Sequence, residues 1–385
     1  MTILNDLYLS RKPLAGFIAI GCAWSVYFAQ MPVIKAQVGA SDGAYGVAVL
    51  FASFGALGAM WLAPLSHRLL GSLALPIAIA VIAAGIMGVG FATELYVLGL
   101  MMLVVSAGSG VTDVLINANV SETEAREGRT LMNLNHGLYS LSYAAAALAT
   151  GMLREAGVPP VPIFSGLAVF LMLLAWGSWG VKPELVDTQE DLTIPAVMPM
   201  WLIWLAGGVV FIAFLSEASA EGWSALHLER TLGGDPGEGA LGPALLGLTM
   251  GIGRLSGHGL ARFMRDTTLM MLACGMSAIG LMVAGLAGSV AVALLGFALA
   301  GLGISVVAPL ALALVGRVVP RRYRLAAISR VSVLGFSAFF FGPPLMGLVS
   351  QGFGLRASFL TVAAVLVVVA ASVIPTLARR VAAQS

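Results

Sequence analysis

Charge is the scarcest property of this 385-residue chain, of which 10% is Asp, Glu, Lys or Arg. Soluble domains carry roughly 25%, so a water-facing surface cannot be assembled from this composition. Large soluble enzyme folds, nucleic-acid readers and disordered scaffolds are excluded together. Cysteine is nearly absent too. Cys22 and Cys274 both lie in apolar runs, which argues against a disulfide framework or a metal cluster. No A-x-A-like cleavage site follows the first apolar run, and residues 1–13 are too polar for a signal peptide, so that run is expected to stay in the protein.

Apolar residues fill 59% of the chain, with 47 glycines that suit close helix packing in lipid. A helix needs about 20 apolar residues to cross ~30 Å of hydrocarbon. That ruler gives twelve spans. The first six are Leu14–Ile34, Ala44–Leu65, Leu73–Phe91, Leu95–Ala118, Leu131–Leu153 and Pro162–Val181. The second six are Met200–Gly222, Ala240–Ala261, Thr268–Leu286, Ala291–Gly316, Ala326–Ser350 and Ala357–Leu377. Trp61, Trp176, Trp179, Trp201, Trp204 and Trp223 fall near span ends, as interfacial anchors do, while Trp24 is mid-span. An all-α membrane protein is expected, with no room for a soluble domain.

Alternating twelve spans across a bilayer puts sixteen Lys and Arg residues on the side of the two termini. Only Lys35, Arg154, Arg230 and Arg356 fall on the other. The positive-inside rule then makes both termini cytoplasmic, in an inner membrane. The acidic, proline-bearing stretch 182–199 separates six spans from six. We expect an amino-terminal bundle over 1–181, a cytoplasmic linker over 182–199 and a carboxy-terminal bundle over 200–385. A shift of 191 residues superposes His67 on His258 and Arg126 on Arg317, as two like halves related by an axis along the membrane normal would. These features point to the major facilitator fold of two six-helix bundles, with a substrate path between them near the midplane.

An ionisable side chain inside a span costs ~2.5–3.5 kcal/mol on insertion scales, so each survivor needs a partner or a role. Asp113 and Asn117 are four apart in the fourth span and share a face. His136 opens the fifth span at a similar depth, so an Asp113–His136 contact is geometrically open, either as a proton-exchanging pair or as a static hydrogen bond. Glu217 and Glu221 share a face of the seventh span, Glu217 in its outer third and Glu221 near the interface. Asp113, His136 and Glu217 are the candidate proton-coupling residues. Tyr27, Gln30, Asn117, Asn135 and Glu221 are the candidate substrate-binding ones, with packing as the alternative for each. At the basic ends, Arg317, Arg321, Arg322 and Arg324 are expected to face Glu122, Glu124 and Glu127, as a charge gate or as simple anionic-lipid contacts. The G-x-x-x-G pairs Gly247/Gly251 and Gly253/Gly257 are expected to allow close helix approach.

The stretch Asp113-Val-Leu-Ile-Asn117 through Glu124, then Gly128-Arg129 and His136-Gly137-Leu-Tyr-Ser140, resembles the MosC-like branch of the major facilitator superfamily. So do Glu217 followed by Trp223-Ser-Ala-Leu-His-Leu228, Gly253-Arg254-Leu-Ser-Gly257, and Phe341-Gly-Pro343-Pro344-Leu-Met-Gly347. The resemblance implies a secondary transporter that works by alternating access, is ion-coupled, and carries a small polar metabolite such as a sugar or cyclitol derivative. It also makes His67, Arg68, Glu124, Arg129, Arg254, His258 and Arg317 gating candidates. His67 and His258 stand where the superfamily usually has Asp, which implies weaker or pH-dependent closure. The Gly-Pro signature of drug–proton antiporters is missing from Ala144–Gly151.

Proton-coupled export of drugs or other amphipathic compounds is the second reading, and a polytopic membrane enzyme a remote third. The carboxylates of Asp187-Thr-Gln-Glu190-Asp191 have no partner cluster to hold a metal and diphosphate. The expected partners are a small-molecule substrate, protons and the lipid bilayer, with no nucleic acid, cofactor or metal, for a monomer that is not an enzyme. Cysteines introduced near residue 5 and in 182–199 should react with impermeant reagent from the same side of the bilayer. Labelling from opposite sides would refute the two-bundle arrangement.

Overall fold

Hydrocarbon offers no partner for a backbone N–H or C=O, so a chain that crosses it must satisfy those groups within helices or a closed barrel. This chain does so with helices. The computed structural model describes residues 3–180, 200–260, 263–320 and 323–383. The expected 182–199 linker therefore lies outside the described residues. The helices are α1 (Ile3–Gln37), α2 (Asp42–Leu70), α3 (Ala74–Phe91), α4 (Leu95–Glu127), α5 (Met132–Glu155), α6 (Pro160–Gly177), α7 (Met200–Leu226) and α8 (Pro236–Leu260). They continue with α9 (Asp266–Leu286), α10 (Val290–Val318), α11 (Arg324–Phe336), α12 (Ala338–Val368) and α13 (Ile374–Ala382). Among the described residues, nine helical segments are long and apolar enough to cross a membrane; α5 and α8 are not among them, and 326–382 counts as one.

Several helices outrun the hydropathy reading, and each extension has a local cause. α4 was expected to stop at Ala118 but runs to Glu127, because its polar last turns reach water and still bond internally. Gly128, at φ 64°, closes it by donating its N–H to Glu124 O at 2.9 Å. α7 passes its expected end at Gly222, reaches Leu226 and continues through a π-turn, His227–Thr231. A second π-turn, Val369–Val373, joins α12 to α13. The expected break between the last two spans falls at Gly354, whose φ of 83° interrupts the helical path inside α12.

The chain forms two compact units. The first comprises Met1–Val186 and Gly234–Ala244, the second Asp187–Gly233 and Leu245–Ser385. In the first, α4 packs on α2, α3 and α1, and α1 packs on α5 and α6. Ala29, Ala147, Ala240 and Ala244 form a buried small-residue cluster in this unit. Arg154, read from sequence as an outer-side surface cation, is instead 8% exposed. Its Nη1 donates to Ala29 O at 2.6 Å and to Pro236 O at 3.4 Å. A buried guanidinium needs such acceptors.

In the second unit, α9 and α10 cross with their backbones in contact. A Cβ on Gly280 would lie 2.6 Å from Gly296 O, and one on Gly296 would lie 2.6 Å from Gly280 O. Ser277 Oγ adds a hydrogen bond to Ala300 O at 2.8 Å. This is the small-residue packing expected of helices in lipid, here at Gly280/Ala284 against Gly296/Ala300. Gly253, one of the expected positions, is also in close contact, since its Cβ would meet Leu302 O of α10 at 2.7 Å. Gly280→Leu should force α9 and α10 apart and destabilise the second unit by several kcal/mol. Thermal unfolding in detergent tests this, with Gly275→Leu, a position with open space, expected to be near neutral.

Candidate functional site

Each unit holds one carboxylate deep within a span, and each carboxylate is positioned by a neighbour four residues away or on the next helix. In the first unit, α4 sets the direction. Its Thr112 and Ile116 meet Gly16 of α1, while Gly110 meets Ala59 of α2. Asp113 and Asn117 therefore point between those two helices. Asn117 Nδ2 donates to Asp113 Oδ1 at 2.9 Å and to Asp113 O at 2.8 Å. This fixes the carboxylate on a short lever, as the i,i+4 spacing allows. Asp113 is solvent-exposed, and no basic side chain among the described residues is ion-paired with it.

The Asp113–His136 contact left open by the sequence is not formed. Asp113 bonds Asn117, and His136 sets its ring edge-on against Phe17 of α1, with centroids 4.9 Å apart. The competing partner is local and shares a helix with Asp113, so it needs no interhelical alignment.

In the second unit, Glu217 of α7 meets Arg254 of α8, Nη2 to Oε1 at 3.5 Å. Their side chains are 22% and 35% exposed, so the pair is neither dry nor at the surface. Sequence reasoning placed Glu217 in the outer third and Arg254 at a cytoplasmic helix end. Continuation of the helix through Thr231 instead puts Glu217 near the middle of the 200–231 stretch, and Arg254 reaches it with a long side chain. Glu221 is half-buried one turn further on and makes contacts of its own.

Three residues assigned to the substrate path are interior instead. Tyr27 is 1% exposed and shares a 2.6 Å hydroxyl hydrogen bond with Tyr45 of α2. Asn135 is fully buried, its Nδ2 bonded to Leu131 O at 2.9 Å. Gln30 is fully buried as well, with no hydrogen-bond partner for either side-chain polar atom. Only Asn117 and Glu221 of the five retain exposure. A hydropathy pattern marks a polar residue within a span but does not say which side of the helix meets water.

Four of the seven gating candidates, Glu124, Arg129, Arg254 and Arg317, have partners within their own units. Glu124, expected to face Arg317, caps α5 by accepting from Leu131 N at 2.5 Å and Met132 N at 2.7 Å. Arg317 pairs with Asp266 at the start of α9. Arg129 reaches Asp6 of α1 at 2.7 Å. His67 is half-buried in the last turn of α2, and Arg68 beside it is exposed. His258 lies on α8; its side chain, like Arg321 and Arg322, lies outside the described residues.

Sequence reasoning missed the role of His227, quoted only within a motif. It is fully buried, its Nε2 lies 3.0 Å from Ala284 O, and Phe297 and Phe359 enclose its ring. Its place just past the expected end of the seventh span hid it.

Residues 206–384 match the family model described as Major Facilitator Superfamily. An uncharacterized MFS-type transporter of Yersinia pestis is 28% identical over 363 residues, covering 93% of each chain. Membrane protein MosC of Rhizobium meliloti is 26% identical over 361 residues, 92% of this chain and 86% of that one. The fold matches the nucleoside transporter NupG with a TM-score of 0.80 at 12% identity, over 95% of this chain and 99% of that one. A D-xylose–proton symporter matches with a TM-score of 0.76 at 13% identity, over 97% of each chain.

Removing one partner of a part-buried ion pair leaves the other charge poorly solvated. Arg254→Gln should therefore lower the melting temperature by a few degrees, and adding Glu217→Gln should restore part of the loss. A double variant no more stable than Arg254→Gln would show that the two side chains are not energetically coupled.

Proposed function

We propose that this chain, a transporter of the major facilitator superfamily, moves a small polar metabolite, sugar- or cyclitol-like, across the inner membrane by proton-coupled alternating access. The observation that carries the reading is the half-buried Glu217–Arg254 pair, with Glu217 near the middle of the apolar 200–231 stretch and Arg254 reaching it from α8. Such a pair needs a role beyond anchoring, because burying it costs more than an apolar replacement would. With Glu217 ionised, the guanidinium is occupied. A proton delivered to the carboxylate releases Arg254, whose fork of donors suits the hydroxyls of a polyol or sugar. Asp113, held by Asn117 and exposed on α4, is the second proton-accepting group.

In this reading twelve spans form bundles over 1–181 and 200–385, joined by a linker over 182–199, with both termini cytoplasmic and the monomer as the working unit. The sixteen-to-four distribution of Lys and Arg supports that orientation. The polar substrate class is supported by the polar character of both carboxylate sites. It is also in keeping with the nucleoside and D-xylose named for the two solved transporters of like fold.

Glu217→Gln or Asp113→Asn in proteoliposomes should abolish accumulation driven by a pH gradient, leaving the internal substrate at its equilibrium level. Counterflow exchange, which needs no net proton movement, should persist. If both variants still concentrate substrate, the proton roles are wrong. The gradient orientation that drives accumulation in the wild type distinguishes uptake from export.

A further inference from the structure

Between residues 211 and 221, α7 leaves one stripe partly exposed. Phe211, Phe214, Glu217, Ala218 and Glu221 make up that stripe, and every other residue of the stretch is buried. Spacings of three and four residues put them on one helix face. Two phenylalanines thus share a face with the two carboxylates of the span. Ionisable groups within spans face a bundle interior or a cavity, because acyl chains cannot solvate them. The aromatic rings beside Glu217 share that setting.

α11 and α12 extend this aromatic surface. A Cβ on Gly335 would run into Val210, so the end of α11 lies directly on α7. A Cβ on Gly342 would meet Leu215 Cδ1 at 3.3 Å and Ala218 Cβ at 3.8 Å, so the first turns of α12 pass beside the residue that follows Glu217. Between these two contacts, Phe336 and Phe339 stack on Phe214, with centroids 5.3 and 5.6 Å away and planes inclined by 11° and 26°. Phe336 and Phe339 are 6.2 Å apart at 27°. Three rings close to parallel form a patch with one orientation. Packing alone would bury such a stack, yet Phe336 is 39% exposed and the other two rings are partly so.

We propose, resting on the reading that Glu217 and Arg254 receive a sugar- or cyclitol-like solute, that the Phe214–Phe336–Phe339 patch selects a ring form of that solute over an open chain. The face of a phenyl ring is negative, and hydrogens on carbons that bear hydroxyls carry partial positive charge. A pyranose or cyclohexane ring presents several such hydrogens together on one face, leaving its hydroxyls for the carboxylate and guanidinium. An open-chain polyol has the same hydroxyls but no flat C–H face, and it must freeze several torsions to reach both kinds of group. Phe214 precedes Glu217 by three residues, a rise of about 4.5 Å, which a six-membered ring with its hydroxyls spans. Aromatic walls with a few placed polar groups are the usual make-up of a small-molecule site.

Isothermal titration calorimetry of the full chain in detergent, with D-xylose, D-glucose and myo-inositol set against the open-chain xylitol and D-sorbitol, tests this selection. At least one ring compound should bind about tenfold tighter than either alditol. Phe336→Leu keeps the bulk and removes the π face. It should weaken ring binding about fivefold and lower the ring-to-chain ratio, whereas Phe336→Tyr should keep both. Phe214→Leu should act in the same way, and the more exposed Phe336 keeps the test open if that variant fails to fold. Arg254→Gln should weaken both classes alike. Equal affinity for rings and open chains overturns the selection and leaves the polyol reading standing. So does a Phe336→Leu that weakens both classes equally, the result expected of packing alone. Binding of none of the five compounds overturns the polyol reading and this inference together.

Discussion

The energetic penalty for leaving charge or backbone polarity unsatisfied in hydrocarbon governs this molecule. It dictates helix, and it confines most ionisable groups to helix ends, where water or a neighbour can meet them. Lys35 and Asp42, 2.9 Å apart across the turn from α1 to α2, show the end solution. Asp113 and Glu217 show what survives deeper in the spans. Each keeps one defined hydrogen-bonding or ionic partner and some exposure.

The same penalty explains why the charges at helix ends pair locally. Glu124 is seven and eight residues from the amides of Leu131 and Met132, which open α5 and lack intrahelical acceptors. Capping them is a short-range, geometrically simple solution, favoured over a pairing with a distant arginine. Asp6 with Arg129 and Asp266 with Arg317 follow the same logic, each tying the start of one helix to the end of another within a single unit. The network therefore fastens helices together inside each bundle.

Packing divides along similar lines. In the second unit the close approach of α9 and α10 rests on glycines that leave no space for a side chain, and Ser277 adds a hydrogen bond to the exposed backbone. The arginines of that unit are met by acids or backbone within it: Arg254 by Glu217, Arg317 by Asp266 and Arg356 by Gly285 O.

Composition, span length and the distribution of Lys and Arg were enough to determine a polytopic helical membrane protein and to single out Asp113 and Glu217, because a carboxylate within an apolar run is conspicuous in one dimension. The helix ends were less legible. Hydropathy falls where α4 and α7 leave hydrocarbon, yet their backbones keep bonding until Gly128 in one case and a π-turn in the other. Only the tertiary structure decided which face of each helix is buried and which is exposed. It buried Tyr27, Gln30 and Asn135, turned His136 toward Phe17, and brought Arg254 to Glu217. Those outcomes depend on how neighbouring helices are rotated and how far a long side chain can reach, and these are properties of packing that linear spacing does not encode.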